Sequence, residues 1–230
     1  MSTRFEFINR GYKDTIVLLP GWGTDHRIFG RLDMPFNYLV PLKIELDDIY
    51  YALSVAMAGK EAVLMGWSFG ALLAAHFLVK FPNVVKKTVL VGVKEAYATS
   101  EIGKMKNYLD RSPVTYMKGF YRRCLSFQGR EDRAWFSSYL QEGYLRGIDQ
   151  KYLKSQLDYM EFNPLPLNEL QKYSNKISVI HGEKDLVIPL EEAHSLVRKL
   201  RGASFNIIKN TGHACFMDRS FKELISERAI

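Results

Sequence analysis

One pentapeptide constrains this chain more than any other stretch: Gly66-Trp67-Ser68-Phe69-Gly70. The apolar run before it, Ala62 to Met65, has the length and bounds of a buried strand. The run after it, Ala71 to Ala75 and then Phe77 to Val79, is long enough for a helix and is stopped at Pro82. Gly-x-Ser-x-Gly therefore falls at a strand-to-helix turn. So tight a turn lifts the serine hydroxyl clear of the sheet. A side chain at position 66 or 70 would collide with the neighbouring strand and helix. The helix opens directly after Ser68, so its free N–H groups and the positive end of its dipole face the place where an oxyanion would form.

The rest of the chain repeats this rhythm. Thr15 to Leu19 reads as a central strand and runs into the loop Pro20-Gly21-Trp22-Gly23, whose glycines mark a close backbone approach. Asp25 is placed to cap a short helix through Phe29. Tyr38-Leu39-Val40 is a strand piece. Asp47 and Asp48 look like the capped start of a helix from Ile49 to about Ala58, ended by Gly59. Thr88 to Val93, Ile177 to Ile180 and Ser204 to Ile208 are further strands, with helices over Leu190 to Leu200 and from Phe221 to about Arg228. Strand, helix, strand in this order predicts a parallel sheet covered on both faces. The rhythm breaks between residues 99 and 172, where amphipathic helices are expected around Ile102 to Leu109, Val114 to Leu125, Ala134 to Arg146 and Ile148 to Met160. The organisation read here is a core of residues 1–98 and 173–230 with a helical cap inserted at 99–172.

A serine hydroxyl becomes a useful nucleophile when a base of near-neutral pKa removes its proton and an acid holds that base in the right tautomer. Ser68, Asp185 and His213 supply this set in that chain order. Asp185 and His213 both lie in loops directly after expected strands, and such loops gather at one edge of a parallel sheet. Among the other histidines, His181 precedes the acid-bearing loop and reads as structural, His76 as a core histidine and His194 as part of a surface helix. His26 is near enough to the glycine loop to line a pocket. Asp158 and Asp218 read as capping or solvated. The oxyanion donors expected are the backbone N–H groups of Phe69 and Trp22, with both side chains walling the acyl pocket.

Composition narrows the setting. The chain has 230 residues, 47% hydrophobic and 25% charged, which fits one globular domain with an insertion. No window has the apolar length of a membrane span, and Met1 to Arg10 has no hydrophobic leader core. Cys124 and Cys215 follow no metal spacing, and the default is a reduced, cytoplasmic setting with no metal or organic cofactor. A net charge of +7 favours acidic partners or substrates. Nucleic acid is not expected, because no helix-turn-helix, zinc-finger or RNP-like pattern accompanies the charge. A monomer is expected.

Taken together, these motifs resemble the α/β-hydrolases over nearly the whole length. Gly21-Trp22-Gly23 in the first loop with Gly66-Trp67-Ser68-Phe69-Gly70 at the turn resembles, more narrowly, the pimeloyl-acyl-carrier-protein methyl ester esterases of biotin synthesis. That resemblance implies a Ser68–His213–Asp185 triad, with Trp22 and Phe69 as oxyanion and substrate residues. The segment Arg122 to Gln128 resembles a cap segment of the same enzymes. It implies Cys124 and Gln128 in the substrate pocket and Arg122 and Arg123, with Arg130 and Arg133 after them, as a docking face for an acidic carrier protein. The chain departs from the family pattern in two places. Pro20-Gly21 stands where most relatives have His-Gly, and the usual glycine-rich loop after the third strand is missing, which implies a shorter sheet. The activity implied is a serine carboxylesterase. A thioesterase or small-molecule carboxylesterase of the same fold, and a non-catalytic hydrolase-like receptor, are the alternatives.

Overall fold

The structure, a computed structural model, describes residues 2–57 and 61–228. Its centre is a seven-stranded sheet in the order β1-β3-β2-β4-β5-β6-β7. The strands are β1 (Arg4–Ile8), β2 (Thr15–Leu19), β3 (Asn37–Lys43), β4 (Ala62–Trp67), β5 (Val85–Val91), β6 (Ile177–Gly182) and β7 (Ser204–Ile208). From β3 to β7 all neighbours are parallel, and β1 is added antiparallel at the edge. β4 and β6 are buried at every position. This is the state that unbroken apolar runs demand, since a parallel sheet offers neither face to water.

The helices of the core are α1 (Ile49–Ala56), α2 (Phe69–Lys80), α9 (Leu190–Lys199) and α10 (Arg219–Arg228). α2 packs on β2, β4 and β5 and is covered on its outer side by the inserted segment, so nearly every residue from Phe69 to Leu78 is buried. The insertion between β5 and β6 holds α3 (Thr99–Arg111), α4 (Pro113–Cys124), α5 (Arg130–Phe136), α6 (Glu142–Arg146), α7 (Gln150–Phe162) and α8 (Leu167–Leu170).

Three details differ from the sequence reading. β1 was not anticipated. The expected single helix over Ala134 to Arg146 starts earlier and is α5 and α6 joined through a π-helical turn, Ser137–Gln141. Asp48 does not cap α1 with its side chain; its carboxylate instead accepts the Thr3 N–H at 3.1 and 3.2 Å and ties down the N-terminal segment. The expected helix end at Ala58 and Gly59 lies outside the described residues. No helix among those described is long and apolar enough to cross a membrane.

Candidate active site

β4 delivers Ser68 at its C-terminal end with φ 55° and ψ −118°, a conformation that costs a non-glycine residue of order 1–3 kcal/mol. Three features of the sequence enforce it. A Cβ on Gly66 would run into the backbone of Gly70 and Ala71 at the start of α2. One on Gly70 would run into the carbonyls of Leu19 and Pro20. The Ser68 N–H is held by the Val91 carbonyl of β5 at 2.7 Å. α2 begins at Phe69, so its first N–H groups have no acceptor within the helix.

The loops after β6 and β7 bring Asp185 and His213 together. His213 Nδ1 lies 2.7 Å from Asp185 Oδ2, and both side chains are shut off from solvent. The other carboxylate oxygen, Oδ1, accepts the N–H groups of Val187 at 2.7 Å and Ile188 at 2.9 Å. Burial pushes Asp185 upward. The charge and hydrogen bond of His213, the nearby His181 and the Ile188 N–H outweigh it, so Asp185 stays below the usual carboxylate range. With Nδ1 engaged by Asp185, His213 presents Nε2, which is buried and has no hydrogen-bond partner among the described residues. Gly92, at φ +57°, leaves room for this ring: a Cβ there would stand 3.1 Å from His213 Nδ1 and Cε1.

Ser68 lines a cavity of about 760 Å³ between the core and the inserted helices. Trp22, Phe120, Met105 and Met160 give it apolar walls, and Lys104, Arg111 and Arg123 add cations. Trp22 is fixed by a hydrogen bond from Nε1 to the Leu153 carbonyl at 3.0 Å and by an edge contact with Phe120, ring centres 4.9 Å apart. A profile of the alpha/beta hydrolase family matches residues 7–227. The chain belongs to the alpha/beta hydrolase family. It is a hydrolase by that membership, and its seven-stranded, mostly parallel sheet is the family's architecture.

This hydrolase is 25% identical over 188 residues to the pimeloyl-[acyl-carrier protein] methyl ester esterase of Nitrosomonas europaea, covering 77% of this chain and 73% of that one. It is 22% identical over 229 residues to the enzyme of the same name from Neisseria meningitidis serogroup A, covering 89% and 72%. In fold it is similar to a thermophilic esterase from Thermogutta terrifontis, with TM-score 0.79 and 16% identity over 98% of this chain and 92% of that one. A hydrolase from Oleispira antarctica gives TM-score 0.80 and 12% identity over 98% and 93%.

The remaining expected site residues of this hydrolase divide. The Phe69 ring is fully buried and meets Tyr159 of α7 edge-on at 5.9 Å. It is packed into the core and does not wall the cavity. Cys124 and Gln128 are buried and also absent from the cavity lining. The Cys124 carbonyl instead accepts the Ala214 N–H at 3.0 Å and so braces the loop that carries His213. Burial pushes the thiols of Cys124 and Cys215 up, which keeps both protonated and poor as nucleophiles. Arg123 does reach the cavity. Arg122 and Arg133 line a neighbouring hollow with Lys118, and Arg130 is exposed at the start of α5. His26 lines a separate hollow with Arg10 and Trp135, away from Ser68.

Two residues of the site were not singled out from the sequence. Trp67 donates from Nε1 to the His213 carbonyl at 2.9 Å and packs against the His213 ring. Its place inside the Gly-x-Ser-x-Gly motif was the available signal. Tyr97 lines the cavity beside Ser68, and nothing in its sequence neighbourhood marks it.

Proposed function

We propose that this hydrolase is a serine carboxylesterase with a Ser68–His213–Asp185 triad, and that its substrate is the methyl ester of a pimeloyl chain carried on acyl carrier protein. The observation that carries the reading is the buried 2.7 Å contact between His213 and Asp185, formed from two loops far apart in sequence, beside a serine held at φ 55°. Asp185 holds the proton of His213 on Nδ1 and leaves Nε2 as the base. The Ser68 oxygen attacks the ester carbonyl and its proton passes to Nε2. The tetrahedral anion faces the N–H groups of Trp22 and Phe69. It collapses with loss of methanol, which takes the proton from His213, and water then releases the acid by the same steps.

The carrier-bound substrate is supported by the names of the two relatives above and by the cations of this chain. Arg123 at the cavity, Arg122 and Arg133 at the neighbouring hollow and exposed Arg130 form no ion pair among the described residues, and the net charge is +7. Residues 99–172 are the cap that encloses the acyl chain, and a cytoplasmic setting follows from such a substrate.

The test is methanol release from methyl pimeloyl-carrier protein and from free methyl pimelate, with wild type and Ser68→Ala. The expected result is release that Ser68→Ala lowers by about 10⁴-fold or more, that favours the carrier-bound ester and that weakens as salt screens the charges. Equal or better hydrolysis of the free ester would remove the carrier and leave the esterase. Release unaffected by Ser68→Ala would remove both.

A further inference from the structure

Tyr97 stands where the reacting serine does, yet it belongs to neither the triad nor the oxyanion donors. It lies in the segment between β5 and α3, it lines the same cavity as Ser68, and its hydroxyl is near the Ser68 side chain. Its ring meets a cation. Lys94, directly after the β5 turn and only 8% exposed, sits 4.5 Å from the ring centre and is itself paired with Glu101 of α3 at 2.5 Å. Burial pushes the phenol well above its ordinary value, so it is a neutral O–H donor throughout the working range of a histidine base.

The sheet order bears on which oxygen it serves. β4 carries Ser68. β2, on one side, leads to Trp22, and β5, on the other, leads to Tyr97. With the carbonyl oxygen of the tetrahedral intermediate turned toward Trp22 and the start of α2, the leaving oxygen points away from them, toward His213 and the β5 side. We infer that Tyr97 donates a hydrogen bond to the leaving-group oxygen of the ester as the acyl–oxygen bond breaks. The electron pair of that bond goes to the alkoxide oxygen, the proton that makes it an alcohol comes from His213 Nε2, and Tyr97 keeps its own proton. The donor lowers the charge that must build on a poor leaving group before His213 delivers its proton. This role rests on the serine esterase reading given above.

Tyr97→Phe removes the hydroxyl and keeps the ring on Lys94. The experiment compares kcat/KM of wild type and Tyr97→Phe on two esters of one short acyl group, the methyl ester and the p-nitrophenyl ester. Methoxide is a poor leaving group that needs the donor, whereas nitrophenolate leaves without help. A hydrogen bond to a developing charge predicts a loss of about tenfold or more on the methyl ester. The p-nitrophenyl ester should lose less than about threefold. An equal loss on both esters, as a merely structural residue would give, overturns the inference, and so does no loss on either. In both of those cases Ser68-dependent turnover by wild type leaves the esterase reading intact. Wild type that turns over neither ester would remove that reading and this inference with it.

Discussion

Asp185 is a buried loop carboxylate held at both of its oxygens. One oxygen faces His213 at 2.7 Å, with His181 Nε2 at 3.4 Å on the same oxygen, and the other is filled by two backbone N–H groups. Such a carboxylate cannot swing away, and its negative charge fixes the proton of His213 on Nδ1. Asp185→Asn keeps the shape and offers an N–H in place of an acceptor, so His213 is driven to the wrong tautomer. Turnover should fall by about 10⁴-fold while the unfolding midpoint changes little. An Asn variant with near-wild-type kcat would show that Asp185 does not orient the base. At this scale the sequence spoke where chemistry and chain order coincided. Ser68 directly follows β4, and Asp185 and His213 lie in the short polar loops after β6 and β7, where acid and base residues stand out beyond the apolar strands. Trp67 and Tyr97 carry no such mark: one is a variable position of the Gly-x-Ser-x-Gly motif, the other a lone aromatic among small and charged residues. The His213 carbonyl that Trp67 meets is 146 residues away, and Ser68, which shares its cavity with Tyr97, is 29 residues away; both become neighbours only through the sheet order.

Among the elements, the turn between β4 and α2 was legible because its glycines obey a steric rule that does not depend on context. Gly70 lets the first turn of α2 press against the end of β2, which is what sets the Ser68 turn beside the Trp22 loop. A Cβ there would meet the Leu19 and Pro20 carbonyls, which are backbone atoms of a central strand and cannot give way. Gly70→Ala should therefore destabilise by roughly 3 kcal/mol, at the upper end of overpacking costs, and lower turnover in the fraction that folds. Gly103→Ala, on α3 with nothing near its would-be Cβ, serves as the control and should be neutral or slightly stabilising. Urea unfolding of the two variants compares them directly, and a Gly70→Ala midpoint equal to wild type would contradict the close approach. β1 was not legible for the opposite reason. Among the described residues it pairs only with β3, at the sheet edge, and its five residues are exposed or half-buried; the alternation Arg4-Phe5-Glu6-Phe7 is too short and too charged to stand out beside the unbroken apolar runs of the central strands. The π-helical turn between α5 and α6 was hidden because one extra residue per turn leaves the amphipathic pattern on either side intact.

The whole molecule carries a dependence on pH that follows from what the fold buries. His181 is fully enclosed at the end of β6. Its Nε2 donates to the Ile188 carbonyl at 2.9 Å, and its Nδ1 has no partner among the described residues. Burial is the largest influence on it and disfavours the cation. The negative Asp185 and the Ile188 carbonyl pull the other way, His213 and His194 add to the burial effect, and the net result is a value below the ordinary 6.5. Half-buried His76 on α2 is lowered for the same first reason. The unfolded chain therefore binds protons that the folded chain refuses. Their stability contribution is complete above about pH 6.5 and is lost as pH falls from there toward the depressed folded values, with a slope of at most about 1.4 kcal/mol per pH unit for each histidine. Asp185, lowered from 3.8, adds a second loss only as pH falls through its own depressed value. Urea midpoints measured at pH 8, 6.5 and 5 should fall only slightly between the first two and more steeply between the last two. His181→Gln, which keeps a donor for Ile188 but cannot take up a proton, should fall less steeply over that interval whatever its midpoint at pH 8. Parallel curves for wild type and His181→Gln would assign the acid sensitivity to other groups and leave His181 a packing residue only.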